Sequence, residues 1–409
     1  MFHVPHAHRV VLPKGGWVGD GARTTDRGGS PLRILHVSEV HWGGVVALLE
    51  HFVRQQASAG HQVHVLAPDT MTPLPGCQWH EWRVDRRRPW TAATALLDLR
   101  RVVRQVRPDV VHLHSFVAGL FGRLPQQRVW LGDPLPTVYQ PHAWSFDRFE
   151  RAAPNRAIRH CETWSAPRTD NLVTNCEDEA AEGLANGIRV HAHAIGVALD
   201  VEQFHPVSDA ERMRLRRDLG VTSHHVLVCV GRLTRQKGQD LLLRAWERSR
   251  PPDTLLVLVG PGDANALRAH APSEWGRSVL AVGEQHDVRP WIWASDALVL
   301  PSRFETVGLV VAEAMACGRP VLATAVNGVS ATVVAGPLPP AGAVVARGDM
   351  VALIDQAWRR LKDDDLCRVE GTAGRRRALH MFSPEHVERR LEVAYRDAIA
   401  RSRGRIGTR

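Results

Sequence analysis

The sequence predicts two doubly wound α/β domains facing a central cleft, and three observations lead there. Short apolar, strand-like runs alternate with runs of helical spacing from Leu32 onward. The same alternation starts afresh near residue 205. Between the two blocks lies GVALDVEQFHP (196–206), a hinge-like segment that ends at a proline. Strands and helices alternating at this pace form parallel sheets covered by helices on both faces, and ligands then collect at the carboxyl ends of the strands.

Residues 1–30 are rich in Gly, His and Arg without apolar periodicity and read as a flexible tail. LRILHVSEV (32–40) is the first strand, followed by Gly43-Gly44 and a helix, VVALLEHFVRQQASAGH, that stops near Gly60. HQVHVLAP is a second strand, and TAATALLDLRRVVRQVRP a helix halted before Pro108. DVVHLHS, PTVYQPHAW and NLVTNC supply three more strands. In the second block, HHVLVCVGRL, TLLVLVGPGD, SVLAVG, ALVLPS and RPVLATAVNG are strands, while GQDLLLRAWERSR and VGLVVAEAMACG are helices. SPEHVERRLEVAYRDAIARS closes the chain, with Ser383 as cap, Pro384 at the first helical position and Glu385 in the first turn. The expected organisation is a tail at 1–30, Rossmann-like domains at 31–200 and 201–382, and a terminal segment at 383–409 whose helix returns to the first domain.

Composition bounds the function. The hydrophobic fraction of 44% with 23% charged residues is ordinary for a globular protein, and no apolar run reaches the roughly 20 residues a membrane span needs. The start lacks an apolar leader and a cleavage site, and the six cysteines form no CxxC pair, so a reducing cytoplasm is expected rather than disulfides or a zinc cluster. The net charge of +9 comes almost wholly from arginine, with lysine only at Lys14, Lys237 and Lys362. Such a bias reflects either genome composition or attraction to anions, meaning nucleotide phosphates or the inner face of an acidic membrane held peripherally. No basic stripe carries interleaved aromatics, so nucleic acid is not an expected partner.

Two motifs carry the chemistry. In VGRLTRQKGQD, Arg232 and Lys237 fall between a strand and a helix, at the edge that faces a cleft. A guanidinium and an ammonium placed there suit a pyrophosphate. In RFETVGLVVAEAMACG, Gly308 stands where an apolar helix begins, leaving the N–H groups of Gly308, Leu309 and Val310 as donors at a positive helix end. Glu305 precedes that end, and Glu313 lies about 7 to 8 Å further along the axis. Ionised carboxylates only accept hydrogen bonds, so the pair suits sugar hydroxyls on either side of a diphosphate.

Together, VGRLTRQKG and PSRFETVGLVVAEAMACGRPVLAT resemble the donor-binding half of family 4 (group 1) retaining glycosyltransferases of the GT-B fold. The resemblance spans roughly residues 32–400 and implies a set of roles. Arg232 and Lys237 bind the pyrophosphate of a nucleotide-sugar donor, Glu305 holds sugar hydroxyls, Glu313 holds the ribose, and the backbone at Gly308 to Val310 caps the distal phosphate. Gly43 and Gly44 take the place of the family's glycine loop, and His142 in QPHAWSF that of a histidine facing the donor sugar. Three departures stand out. Val307 replaces a common aromatic ring beneath the sugar, Ala143 replaces the glycine after the histidine, and Val197-Ala198-Leu199-Asp200 replaces Asn-Gly-Val-Asp in the hinge.

The resemblance further implies hexosyl transfer with retention, assisted by the leaving phosphate and needing neither a cofactor nor a metal. No D-x-D motif precedes the site. Asp363-Asp364-Asp365 reads as a solvated helix face, and the His112/His114 and His191/His193 pairs as one-sided strand residues. The acceptor, whether a saccharide, a lipid-linked glycan or a small molecule, belongs to the first domain. There Trp144, Phe146, Phe149 and Trp164 among Arg148, Arg151, Arg156 and Arg159 form either an acceptor surface or ordinary packing. The alternative readings are a nucleotide-sugar 2-epimerase of the same fold, for which no acid/base carboxylates can be assigned, and a non-catalytic binding protein.

Overall fold

The computed structural model describes residues 30–41, 43–85, 88–125, 135–146 and 152–404. Contacts divide the chain into Met1–Pro31 and Leu32–Arg409, and the elements below all belong to the second unit. Except for Ser30, the tail expected at 1–30 lies outside the described residues, as do Arg148, Phe149 and Arg151.

The first domain is built on β1 (Arg33–Ser38), β2 (Gln62–Ala67), β3 (Gln78–Glu81), β4 (Val110–His114), β5 (Thr137–Gln140), β6 (Asn171–Thr174) and β7 (Ala192–Ala194). They pair in parallel in the order β3-β2-β1-β4-β5-β6-β7. The second domain holds β8 (His225–Val230), β9 (Thr254–Val259), β10 (Val279–Gly283), β11 (Ala297–Leu300), β12 (Val321–Thr324) and β13 (Gly342–Val345). Their order is β10-β9-β8-β11-β12-β13, again parallel. Each sheet reverses its winding once, between β1 and β4 and between β8 and β11, and such switch points open crevices beyond the strand ends.

The apolar runs of the second domain follow from burial on both faces. In β8, Val226, Val228 and Val230 enter one core cluster, while Leu227 and Cys229 enter the cluster on the opposite face. In β9, Leu255, Val257 and Val259 alternate with Leu256 and Leu258 in the same way. The first sheet differs on one side. Leu35, Val37, Val111 and Leu113 pack normally, but the other face carries His36, His112 and His114 beside Ile34 and Val110, all buried.

That face is covered by the helices Gly44–Ser58 and Pro384–Gly404. The latter starts where the sequence places it, with Ser383 Oγ accepting from the His386 N–H at 3.3 Å. It returns to the first domain, burying Val387, Leu391, Ala394, Tyr395 and Ala398 against Leu32, Ile34, Val110, Val138 and Val173. Where the chain passes between the domains a second time, Leu199 N donates to Phe382 O at 3.0 Å.

Two expectations change. Asp363 is a helix cap rather than part of a helix face: its carboxylate accepts from Leu366 N at 2.9 Å, and Asp364 and Asp365 complement the positive first turn of the helix Asp364–Met381. β3 and β13, QWHE and GAVV, are four-residue edge strands whose mixed exposure gives no alternating signal. Among the described residues, no helix is long and apolar enough to cross a membrane.

The domains also meet directly. Asp178 on the helix Glu177–Ala185 accepts from Gly328 N at 2.8 Å, and Asn327 donates to Glu182 beside it. Gly328 has a φ of +72°, and a Cβ there would lie 2.0 Å from Thr306 O, so the close approach requires glycine.

Candidate active site

The loops that leave β1, β5, β6, β8 and β11 converge on a cleft cavity of about 500 Å³. Of the residues named from the sequence, Gly43, Gly44, His142, Arg232, Lys237, Glu305, Gly308, Leu309, Val310 and Glu313 line it. Val307 does not. Its side chain is buried in the core of the second domain, among Leu300, Val310 and Val311, so it cannot form the floor under a ligand. Trp144 and Phe146 are likewise core residues, stacked with ring centroids 4.9 Å apart, which removes them from any acceptor surface. Trp164 is exposed and stacks with the Arg168 guanidinium.

On the second-domain side, Gly308 turns the chain at φ +71° into the helix Leu309–Ala316, whose first turn no side chain caps. Opposite it, Gly44 allows the first domain to close in, since a Cβ there would sit 3.1 Å from Leu309 Cδ1. Lys237 Nζ donates to Glu305 Oε1 at 2.6 Å, and Ser302 Oγ donates to the same oxygen at 2.9 Å. This largely buried ion pair joins two residues to which the resemblance assigns separate tasks. Arg232 Nη2 donates to Gln236 Oε1 at 3.2 Å. Glu313 lies on the helix itself, and its surroundings push its carboxyl up to about 7 against the pull of Lys237.

His142 is held in an unusual way. It and Ala143 adopt left-handed backbone, φ +54° and +92°, a conformation that costs a non-glycine residue roughly 1–3 kcal/mol. Glu179 fixes the turn by accepting from Ala143 N and from Asn175 N, each at 2.7 Å. The imidazole joins a buried chain: His142 Nε2 lies 2.8 Å from His114 Nδ1, His114 Nε2 lies 2.9 Å from His36 Nδ1, and His36 Nε2 lies 2.8 Å from Gln56 Oε1. The Gln56 amide nitrogen faces the Tyr395 hydroxyl, which leaves its carbonyl toward His36. A carbonyl only accepts, so His36 carries its proton on Nε2, and His114 and His142 must then do the same. His142 therefore offers an unprotonated Nδ1.

Two of these histidines, His36 and His114, have ring nitrogens within 4.8 Å of those of the neighbouring His112, a spacing that also suits a metal ion. The lone pairs are nevertheless directed along the chain: His36 Nδ1 takes the His114 proton, and His112 Nδ1 meets the Tyr395 hydroxyl at 2.8 Å. Neither Glu179 nor the histidine chain was assigned a place in the site from the sequence. Glu179 gives no signal beyond its helix-start position, and His142 and the alternating His112/His114 pair are the traces of the chain in the sequence.

Burial keeps the chain neutral. It pulls His36 down to about 4, His142 to about 3, and His112 and His114 well below the usual imidazole range. Burial also raises Glu179 and Glu313 to about 7 and Glu388 to about 8. A depressed histidine stabilises the fold fully above its unfolded value near 6.5 and loses that contribution as pH falls. A raised carboxyl does the reverse, its contribution fading as pH climbs from about 4.5 through about 7. Between about pH 6 and 5 the four histidines outweigh the three carboxyls by one proton, about 1.4 kcal/mol per pH unit toward unfolding. His51 and His64, pulled to about 4, act on the same side. Stability falls on acidification below about 6.5. Urea midpoints across this range test it, and a stability that rises toward pH 5 contradicts the neutral chain.

Two parallel-sheet domains with such a cleft define the GT-B class. The fold is similar to sucrose-phosphate synthase from Thermosynechococcus elongatus, with a TM-score of 0.77 at 22% identity over 90% of this chain and 99% of that one. It is also similar to Anabaena HepE solved with UDP-glucose, with a TM-score of 0.72 at 17% identity over 88% and 98%. In sequence, residues 224–363 match the model "Glycosyl transferases group 1" and residues 43–198 match "Glycosyl transferase 4-like domain". A D-inositol 3-phosphate glycosyltransferase of Catenulispora acidiphila is 31% identical over 73% of this chain and 74% of its own length. The alpha-maltose-1-phosphate synthase of Mycolicibacterium smegmatis is 28% identical over 72% and 81%. The chain belongs to the group 1 glycosyltransferases.

Proposed function

We propose that this glycosyltransferase moves a hexosyl group from a nucleoside-diphosphate sugar to a hydroxyl acceptor, with retention and without a metal. The observation that carries the reading is the meeting of Arg232, Lys237, Glu305, Glu313 and the uncapped helix start in one cleft. Arg232, Lys237 and the amides at Gly308 to Val310 receive the diphosphate, Glu313 the ribose and Glu305 the sugar hydroxyls. His142, through its unprotonated Nδ1, accepts from a further sugar hydroxyl. Gly44 lets the first domain close over the phosphates and exclude water.

Lys237 and Glu305 hold each other across the site. An arriving diphosphate draws the ammonium to itself, which frees the Glu305 carboxylate for the sugar. Positive charge at the departing diphosphate then lowers the barrier, and the leaving phosphate oxygen takes the acceptor proton on the same face. The acceptor, a saccharide, a lipid-linked glycan or a small molecule, approaches along the first domain.

Thermal shift against UDP, GDP, ADP and dTDP identifies the base, since ligand binding to the native state raises the melting temperature. A shift that disappears in Glu313→Ala is expected. Products made from the matching sugar nucleotide in EDTA are then read by NMR for anomeric configuration. Inversion, or dependence on added metal, overturns the mechanism, and absence of any nucleotide shift overturns the donor site.

A further inference from the structure

Two histidines on the last strand of the first sheet face the returning helix. His191 directly precedes β7 and His193 lies within it, so the two-residue period of a strand turns both rings to one side. There they meet Asp397 on the helix Pro384–Gly404. His193 Nε2 lies 3.3 Å and His191 Nε2 3.6 Å from Asp397 Oδ2, and the three atoms all fall within 4.8 Å of one another. His191 is exposed, while His193 and Asp397 are partly buried, so the group is open to solvent.

Hydrogen bonding does not account for this cluster. The same carboxylate oxygen accepts from Arg401 Nε at 2.9 Å and from Asn171 Nδ2 at 3.1 Å, which uses both of its lone pairs. The two imidazole contacts are left over, and both are longer than the roughly 2.7–3.2 Å of an N–H···O bond. The buried histidine chain of the same domain shows the contrast, its ring nitrogens meeting at 2.8 and 2.9 Å. The longer spacing matches coordination instead. Ligands around a tetrahedral Zn²⁺, at bonds of about 2.0–2.1 Å, stand about 3.3–3.4 Å from each other. Two imidazoles and one carboxylate are also a donor set for Zn²⁺ rather than for Mg²⁺ or Ca²⁺, which select oxygen ligands.

We propose that His191, His193 and Asp397 bind a Zn²⁺ ion, which takes the place of the Arg401 guanidinium on Asp397 and keeps water in its fourth position. The Arg401 side chain is 43% exposed and can swing into solvent. Asn171 keeps its hydrogen bond to the carboxylate, the outer-sphere support that metal-bound carboxylates usually have. The ion ties β7, a three-residue strand at the edge of the sheet, to the helix that closes the first domain. Asn171 opens β6 and His191 precedes β7, so the site sits at the amino ends of these strands, whereas the cleft lies beyond the carboxyl ends. It does not depend on the transferase reading.

Isothermal titration of the full chain, stripped with EDTA and dialysed to neutral pH, with Zn²⁺ alone and in excess Mg²⁺ tests this. The tightest Zn²⁺ is expected to bind once per chain, without competition from Mg²⁺, and to raise the melting temperature. His191→Ala/His193→Ala weakens that binding by more than about 100-fold, since loss of even an outer-sphere partner costs about 10- to 100-fold. His191→Ala alone, at an exposed position, weakens it about ten-fold or more without threatening the fold. Arg401→Gln removes the competing cation and tightens binding by up to about five-fold, the worth of one exposed ion pair. A tightest Zn²⁺ that persists in the double variant is held elsewhere and overturns the proposal. Displacement by Mg²⁺, or weaker binding in Arg401→Gln, overturns it as well.

Discussion

Lys237→Ala is expected to lower glycosyl transfer by about 100- to 1,000-fold, the usual consequence of removing one preorganised charge from a transition state. It does more than empty a phosphate contact. Glu305 is only 8% exposed and would lose its ion-pair partner, retaining the Ser302 hydroxyl. Breaking a buried pair from one side costs about 3–5 kcal/mol. The double variant Lys237→Met/Glu305→Leu removes both charges and should recover most of that stability while staying inactive. Urea denaturation and initial rates on the wild type, Lys237→Met, Glu305→Leu and the double variant separate the two effects. Additive stability losses would mean that the two side chains are not coupled.

Tyr395→Ala should cost about 3–5 kcal/mol of stability, as expected for an aromatic ring removed from a packed core. The ring is fully buried, and its hydroxyl lies 2.8 Å from His112 Nδ1 and 3.4 Å from Gln56 Nε2. Tyr395→Phe keeps the packing and orphans those two nitrogens, so about 1–3 kcal/mol is expected. If the two substitutions cost the same, the hydroxyl rather than the ring holds the helix in place.

The second domain was the more legible half. Its strands are continuous apolar runs because both faces are buried, and Arg232, Lys237, Glu305 and Glu313 share two loops close in sequence to recognisable elements. The first domain concealed more. Its polar core face reads as scattered histidines until β1 and β4 are set side by side, where His36 pairs with His112. The hold of Glu179 on the His142 turn depends on a contact 36 residues away, which no local pattern announces. Val307 misled because a motif position does not say which way a side chain points. The turn at Gly308 sends Val307 inward and leaves the backbone facing the cleft.

The returning helix also sets an order of assembly. β1, β4, β5 and β6 are synthesised early, yet half of the covering that buries Ile34, Val110, Val138 and Val173, the helix Pro384–Gly404, is made after the whole second domain. A growing chain thus carries this sheet face, with only the helix Gly44–Ser58 to cover it, through roughly two hundred further residues, about 10 to 40 s at ordinary elongation rates. The domain that leaves the ribosome first is the last to be finished, and a nascent chain stalled before Pro384 is the species most exposed to aggregation.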